Sequence, residues 1–302
     1  MKELTALFQE CINRYGSCLP CDRNSCKLGF YCTAHNCSLG NCDSCMNHIQ
    51  RATTPDFHYA CAKITYHYVL RFFNRFASEI AYIMNSAKAT YFQRKARLNV
   101  VSLGCGPGSE VYGFIKSLRS KAPHIVLNYK GYDLNTVWSE VQQLSVEALS
   151  QTPHRIEFHN MNMFGAFTGF NEGEVDMLVL NYLLSDSQKY YNDTDKLKFI
   201  NEIVHFIIEN NVNFILFNDM GYYGNGGLDS GVGMMLRLIR ELKKTNNVSL
   251  LFRCFPSDRY IPSTTWKPYQ QESLLFQRLP NNNFDVNITC CRSKQILVGV
   301  KQ

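Results

Sequence analysis

An α/β fold with a mainly parallel, doubly wound sheet is predicted for residues 98–302, on three observations. Apolar runs that suit strands alternate there with segments of helical period. One such strand runs into a glycine-rich turn that opens a helix, in "NVVSLGCGPGSEVYGF", residues 99–114. The last two strand patterns have no helix pattern between them, so an antiparallel final strand is expected. Helices and a small cysteine-rich segment precede this rhythm.

Three parts follow in chain order: residues 1–50, a cysteine-rich module; 51–97, a basic helical connector; and 98–302, the sheet domain. The first part reads as loop-like and short of apolar periodicity. In the second, Ile64, Tyr68, Phe72, Phe76, Ile80 and Ile83 recur at three- and four-residue steps, which predicts one or two helices. In the third, "NVVSLG" is a strand and "SEVYGFIKSLRS" a helix. "LNYKGYDL" is a strand and "TVWSEVQQLSVEAL" a helix. "RIEFHNMNM" and "VDMLVLNYLL" are strands, then "TDKLKFINEIVHFIIEN" is a helix. "VNFILFND" is a strand and "VGMMLRLIRELKK" a helix, before the closing strands "SLLFRCF" and "ILVGVK".

The 302 residues suffice for one large domain plus a small module. No apolar run is long enough to cross a bilayer, and "MKELTALFQECINRYG" lacks the apolar core of a signal peptide. An intracellular protein is expected, cytoplasmic or nuclear, with no membrane partner. The net charge of +6 is concentrated. Residues 61–99 carry seven basic side chains against one acidic, whereas the flanking segments balance.

The glycines of Gly104-Cys105-Gly106-Pro107-Gly108 permit a close approach of backbone to ligand, and the helix behind them presents free N–H groups. A ligand-free strand–helix turn is the plainer reading, so context decides. The second strand ends "GYDL", which brings Asp133 and Leu134 beside the turn, where a carboxylate suits a ribose diol. The third ends "HNMNMF", offering Asn162 and Met163 to an adenine edge. The fourth delivers Asn181 and Tyr182 to the carboxyl edge. A surface carboxylate and a polar strand end are the plainer readings of the first two.

"VVSLGCGPG", "GYDL" and "VDMLVLNYLLSD" resemble the first, second and fourth motifs of the class I S-adenosylmethionine (SAM)-dependent methyltransferases, and the resemblance spans residues 98–302. It implies SAM as cofactor, held by Gly104, Cys105, Gly106, Gly108, Asp133, Leu134, Asn162, Met163 and Asn181. Two positions depart from the family pattern: Ser102 where an acidic residue is usual, and Asn162 where Asp is frequent. "NYLL" replaces the Asn/Asp-Pro-Pro-aromatic string of enzymes that methylate exocyclic amines of bases. Asn181, Tyr182 and Asp219 are the candidate catalytic residues, with Asp186 as a further proton acceptor; a solvent-facing loop residue is an equal reading of Asp186, and a turn former of Asp219.

Thirteen cysteines are present, eight of them in the first 45 residues. The series Cys18, Cys21, Cys26, Cys32, Cys37, Cys42, Cys45, with His48 behind it, is bracketed by CxxC pairs. Thiolates so spaced can share tetrahedral zinc, and seven with one more ligand serve two structural ions. Cys11, His35 and His48 compete for the eighth place, and disulfides are the rival reading. Arg71, Arg75, Arg94 and Lys95, interleaved with tyrosines, are expected either to contact a phosphate backbone or to form the solvated face of a packed helix. Tyr222 and Tyr223 sit in a glycine-rich loop, residues 221–233, that reads as a substrate loop or a plain linker. The expected activity is methyl transfer to a macromolecule, RNA first and protein second. An inactive methyltransferase-like interaction scaffold is the reading from another class.

Overall fold

The computed structural model describes residues 1–18, 42–51, 59, 61–86, 95–162, 173–188, 191–219, 228, 230–255, 267–268, 273–276, 291 and 293–301. Eight strands among them form one sheet: β1 (Arg97–Leu103), β2 (Val126–Asp133), β3 (Arg155–Asn160), β4 (Met177–Asn181), β5 (Phe214–Asp219), β6 (Asn247–Phe255), β7 (Lys267–Pro268) and β8 (Lys294–Lys301). Their order is β3-β2-β1-β4-β5-β8-β6-β7. Strands β1 to β5 pair in parallel, and β8 runs antiparallel to both β5 and β6. This is the mainly parallel sheet with an antiparallel final strand that the sequence predicts.

The helices are α1 (Lys2–Ser17), α2 (Cys42–Arg51), α3 (Ala62–Ser86), α4 (Ser109–Lys121), α5 (Ser139–Leu149), α6 (Leu183–Ser187), α7 (Asp193–Glu209) and α8 (Gly231–Leu242). Strand alternation divides the apolar residues between two cores. Leu98 and Val100 of β1, Met177 and Val179 of β4 and Leu216 of β5 face a core shared with α1, α3, α4 and α5. Val101, Leu103, Leu178, Leu180, Ile215 and Phe217 face the other, shared with α7 and α8. Both faces of the sheet are therefore covered, as strands apolar along their whole length require.

Three features differ from the sequence reading. Residues 2–17 are helical rather than loop-like. Leu4, Leu7, Phe8 and Cys11 fall at helical steps and are buried in the first core, where Phe8 meets Phe73 edge-on at 5.9 Å. Each large apolar side chain so buried stabilises by about 1.5–3 kcal/mol. Glu3 accepts from Arg119 of α4 at 2.7 Å, and Arg14 pairs with Glu140 of α5. Packing thus runs across the expected boundaries at residues 50 and 97.

Second, "VDMLVLNYLL" is not a single strand. β4 ends at Asn181, Tyr182 turns left-handed at φ 57°, and α6 begins. The Tyr182 N–H donates to the Asn218 carbonyl at 2.7 Å, and Asp219 accepts from the Ser185 N–H at 2.9 Å, capping α6. Third, a short strand that the sequence reading did not name, β7, pairs in parallel with β6.

α3 lies directly on α4. A Cβ at Gly113 would stand 2.6 Å from the Ala77 carbonyl and 2.8 Å from Ile80 Cβ. A mid-helix glycine costs about 1 kcal/mol of helix propensity, and close helix contact is what offsets it here.

Candidate cofactor and substrate cavity

The strand order reverses between β1 and β4, and a cavity of about 560 Å³ opens there, at the carboxyl ends of the parallel strands. Its floor is the glycine turn. Gly104, Gly106 and Gly108 all have positive φ, at 62°, 51° and 74°. At Gly104 and Gly108 an added Cβ would strike Leu183 at 2.7 Å and Phe158 at 2.5 Å, so those two glycines serve the turn's own packing. At Gly106 the nearest atom would be Trp138, 3.9 Å away. A side chain there would protrude toward Trp138, another lining residue, and the bare backbone leaves that room to a ligand.

Asp133 ends β2 beside this turn. Its carboxylate accepts from the Gly106 N–H and from the Asn135 N–H, each at 2.8 Å. Burial holds its pKa above the usual carboxylate range, against those two bonds. The next residue, Leu134, is 62% exposed although it lines the cavity. It offers an apolar surface that a bound planar group would cover. Asn162 lines the same side.

The roof comes from residues that the sequence reading did not single out for the site. Tyr59, Tyr68 and Trp138 meet pairwise at 5.0–5.2 Å, and Phe76 packs against Tyr182 at 4.4 Å. The Asn135 side chain donates to the Tyr59 carbonyl at 2.7 Å and so ties this roof to the end of β2. Burial, and then the charge of Asp186, hold the Tyr68 phenol far above its usual range.

Behind the cavity lies a buried polar network. Asn181 accepts from Asn218 at 2.9 Å and donates to Glu110 at 3.4 Å. Glu110, fully buried, also accepts from Ser102 at 2.7 Å and Tyr129 at 2.8 Å. The Ser102 hydroxyl thus meets a carboxylate that α4 supplies. Burial pushes the Glu110 pKa up. Glu79 of α3, likewise fully buried, accepts from Arg75 at 2.9 Å, Tyr182 at 2.7 Å and Asn218 at 3.2 Å. Gln295 donates to the Asn218 side chain at 3.0 Å and to the Glu79 carbonyl at 2.6 Å.

Of the expected site residues, Gly104, Cys105, Gly106, Asp133, Leu134 and Asn162 line one cavity, together with Asn181, Tyr182 and Asp186. Gly108 caps α4 from just outside it. Met163 lies outside the described residues. The Cys105 thiol is buried with its pKa pushed well up by desolvation, so its part in the turn is structural. Tyr182 lines the cavity with its ring. Its hydroxyl is held between Glu79 and Arg75, and burial raises its pKa far above the usual phenol value. Asp219 does not line the cavity. It caps α6, and a Cβ at Gly231 would come within 2.6 Å of its Oδ2.

Three residues of the expected basic surface pair with carboxylates of the chain. Arg75 is largely buried with Glu79, Arg71 pairs with Asp43 of α2, and Lys95 pairs with Asp176 and Glu174. Arg94, Tyr222 and Tyr223 lie outside the described residues. So do Cys21, Cys26, Cys32, His35, Cys37 and the side chain of His48. Cys18 follows α1, and Cys42 and Cys45 lie on α2. Cys11 is fully buried in the first core, with its thiol pushed up to about 12, so the thiolate that zinc requires is disfavoured there. Among the described residues no group of three or more His, Cys, Asp or Glu could hold a metal ion, and no helix is long and apolar enough to cross a membrane.

No family model and no curated protein matches the chain. Solved structures give low-similarity likenesses. The bifunctional kinase-methyltransferase WbdD is 14% identical over 73% of this chain and 38% of its own, at a TM-score of 0.41. Another WbdD structure is spanned over only 34% of its length. A magnesium protoporphyrin IX methyltransferase from Synechocystis PCC 6803 with bound SAM is 9% identical over 88% of this chain and 100% of its own, at 0.39. The YcgJ protein from Bacillus subtilis is 12% identical over 74% and 98%, at 0.43.

Proposed function

We propose that the chain is a SAM-dependent methyltransferase. One observation carries the reading: Asp133 grips the glycine turn at the edge of a cavity that opens where the strand order reverses. That cavity falls within the roughly 300–1,000 Å³ usual for ligand sites. It supplies a bare backbone at Gly106, an apolar face at Leu134, polar edges at Asn162 and Asn181, and a carboxylate at Asp133. Those groups fit a cofactor that carries a ribose, an adenine and positive charge. SAM, when bound, supplies a methyl group already activated on a sulfonium.

The residues of the chain bind and orient. Asp133 faces the ribose, Leu134 and Asn162 the base, and the aromatic roof excludes water. Asn181 keeps one amide orientation because Asn218 and Glu110 fix its two ends. Titration calorimetry with SAM and with S-adenosylhomocysteine tests the reading. One-to-one binding of both is expected. Absence of binding would leave the interaction scaffold as the function.

The substrate is the finer question. Arg71, Arg75 and Lys95 hold partners within the chain, which leaves less free charge for the RNA reading than three of its four named residues suggest. A protein substrate is the better-supported macromolecule. Two structural zinc ions on the cysteine series belong to the same proposal. Elemental analysis near two zinc per chain is expected, with disulfides by mass spectrometry as the opposing outcome.

A further inference from the structure

The charged residues around the cavity are unbalanced. The described residues that line it include two carboxylates, Asp133 and Asp186, and no Lys, Arg or His. Two further carboxylates stand one residue behind it, Glu110 against Asn181 and Glu79 against Tyr182. Arg75 reaches this layer, and Glu79 and Tyr182 both engage its guanidinium.

The lining carboxylates differ in setting. Asp133 is held by the Gly106 N–H of the glycine turn and by the Asn135 N–H of its own loop. Asp186 is exposed, on α6, and lines the cavity together with Tyr68. Three aromatic rings line the same cavity: Phe76 lies 4.4 Å from Tyr182 and 5.9 Å from Tyr68. A carboxylate among aromatic faces attracts an ammonium group, through charge and through the rings' quadrupoles, and repels phosphate.

We infer, resting on the methyltransferase reading, that the group methylated is an alkylamine nitrogen, docked as its ammonium form between Asp186 and the Tyr68–Phe76–Tyr182 wall. The ammonium gives one proton to Asp186, which passes it to water. The nitrogen lone pair then forms the N–C bond to the methyl carbon as the S–C bond breaks, and that bond's electron pair stays on sulfur. Ammonium and sulfonium become N-methylammonium, a neutral thioether and one released proton. An amine of a protein and an amine of a small molecule share this chemistry.

The test titrates the full chain, saturated with S-adenosylhomocysteine, with n-butylammonium, n-butanol and butyrate. Butylammonium should bind about fivefold to tenfold more tightly than either other probe, as a cation–aromatic contact with a carboxylate partner implies. Asp186→Asn, checked for unchanged S-adenosylhomocysteine affinity, should remove the preference. Equal binding of the three probes by the wild type would overturn the inference, as would a preference that survives the substitution. Repeating the titration without S-adenosylhomocysteine keeps a failure of the methyltransferase reading distinct from a failure of this one. A second arm follows labelled methyl from SAM into a cell extract. Protease-sensitive N-methyl label identifies a protein amine, and low-mass N-methyl label a small amine. Nuclease-sensitive label, or label recovered as ester or ether, overturns the proposal.

Discussion

Asp133 has two tasks that a substitution can separate. It holds the glycine turn through the Gly106 N–H and its own loop through the Asn135 N–H, and it lines the cavity. Asp133→Ala should weaken SAM binding by about 1.5–3 kcal/mol, the worth of hydrogen bonds to a charged acceptor. Asp133→Asn keeps one acceptor oxygen and should lose less. Calorimetry on both variants checks the order, and equal affinity of wild type and Ala variant would remove Asp133 from the ribose site. Glu110 makes a prediction about pH. Burial raises its pKa in the folded state, so the folded chain holds that proton more tightly than the unfolded one. Its contribution to stability is full below the ordinary glutamate value, about 4.3. It falls as pH rises from there to the raised folded value. Glu3 runs the other way. Arg119 lowers its pKa, so its contribution is present above the ordinary value and lost as pH falls. Melting temperatures across this range should therefore decline less on the alkaline side in Glu110→Gln than in the wild type. The acid-side loss should stay the same.

The element that organises the site is α3, through two residues one turn apart. Arg75 and Glu79 form a buried ion pair that also holds Tyr182 and Asn218, so a helix from outside the strand–helix alternation sets the geometry at the ends of β4 and β5. Breaking one partner of a buried pair leaves an uncompensated charge, and Arg75→Met should cost about 3–5 kcal/mol. Adding Glu79→Gln removes that charge and keeps an acceptor for Tyr182 and Asn218, so the double variant should unfold at higher denaturant than the single. A double variant less stable than Arg75→Met would show that the charge itself is not the problem. This arrangement was not legible in the sequence, where Arg71 and Arg75 stand as one basic face. Asp43, the partner of Arg71, lies on α2, and only packing brings it in; the spacing of Arg75 and Glu79 on α3 was legible, but their burial against Tyr182 and Asn218 was not. The glycine turn and Asp133 were legible because each closes a strand whose apolar pattern fixes its place. Tyr182 was half legible. Its position at the edge follows from β4, but its left-handed turn and the cap from Asp219 depend on the neighbouring strand. In α1 the helical spacing of Leu4, Leu7, Phe8 and Cys11 was legible, but the distant core that buries them was not.

At the scale of the whole molecule, the question is whether residues 98–302 stand alone. By sequence they carry the sheet and its crossover helices. In the fold, one face of that sheet is closed by helices from outside the range. Tyr112 meets Phe73 at 5.3 Å, Gly113 lies against Ala77 and Ile80, and Glu3 holds Arg119. Val111, Tyr112, Phe114 and Ile115 are completely buried, in the core that α1 and α3 share. Removing residues 1–97 would leave apolar surface on α4 open to water on the first core's side, while the second core under α7 and α8 would keep its cover. A sheet so treated retains its hydrogen-bond ladder but loses the fixed packing of one face, which is the physical condition for a compact state without specific tertiary order. Residues 98–302 expressed alone should show native-like far-ultraviolet dichroism, bind a hydrophobic dye and lack a sharp denaturant transition. The full chain should unfold across its described core in one step, with a slope that reflects the surface of both cores. A sharp transition in the fragment, with a slope in proportion to its length, would make the first 97 residues a separate domain. Restoring residues 59–97 but not 1–18 tests the two helices apart. The α3 contacts should recover most of the cooperativity, since α3 both covers α4 and sets Tyr182, and α1 should add the remainder.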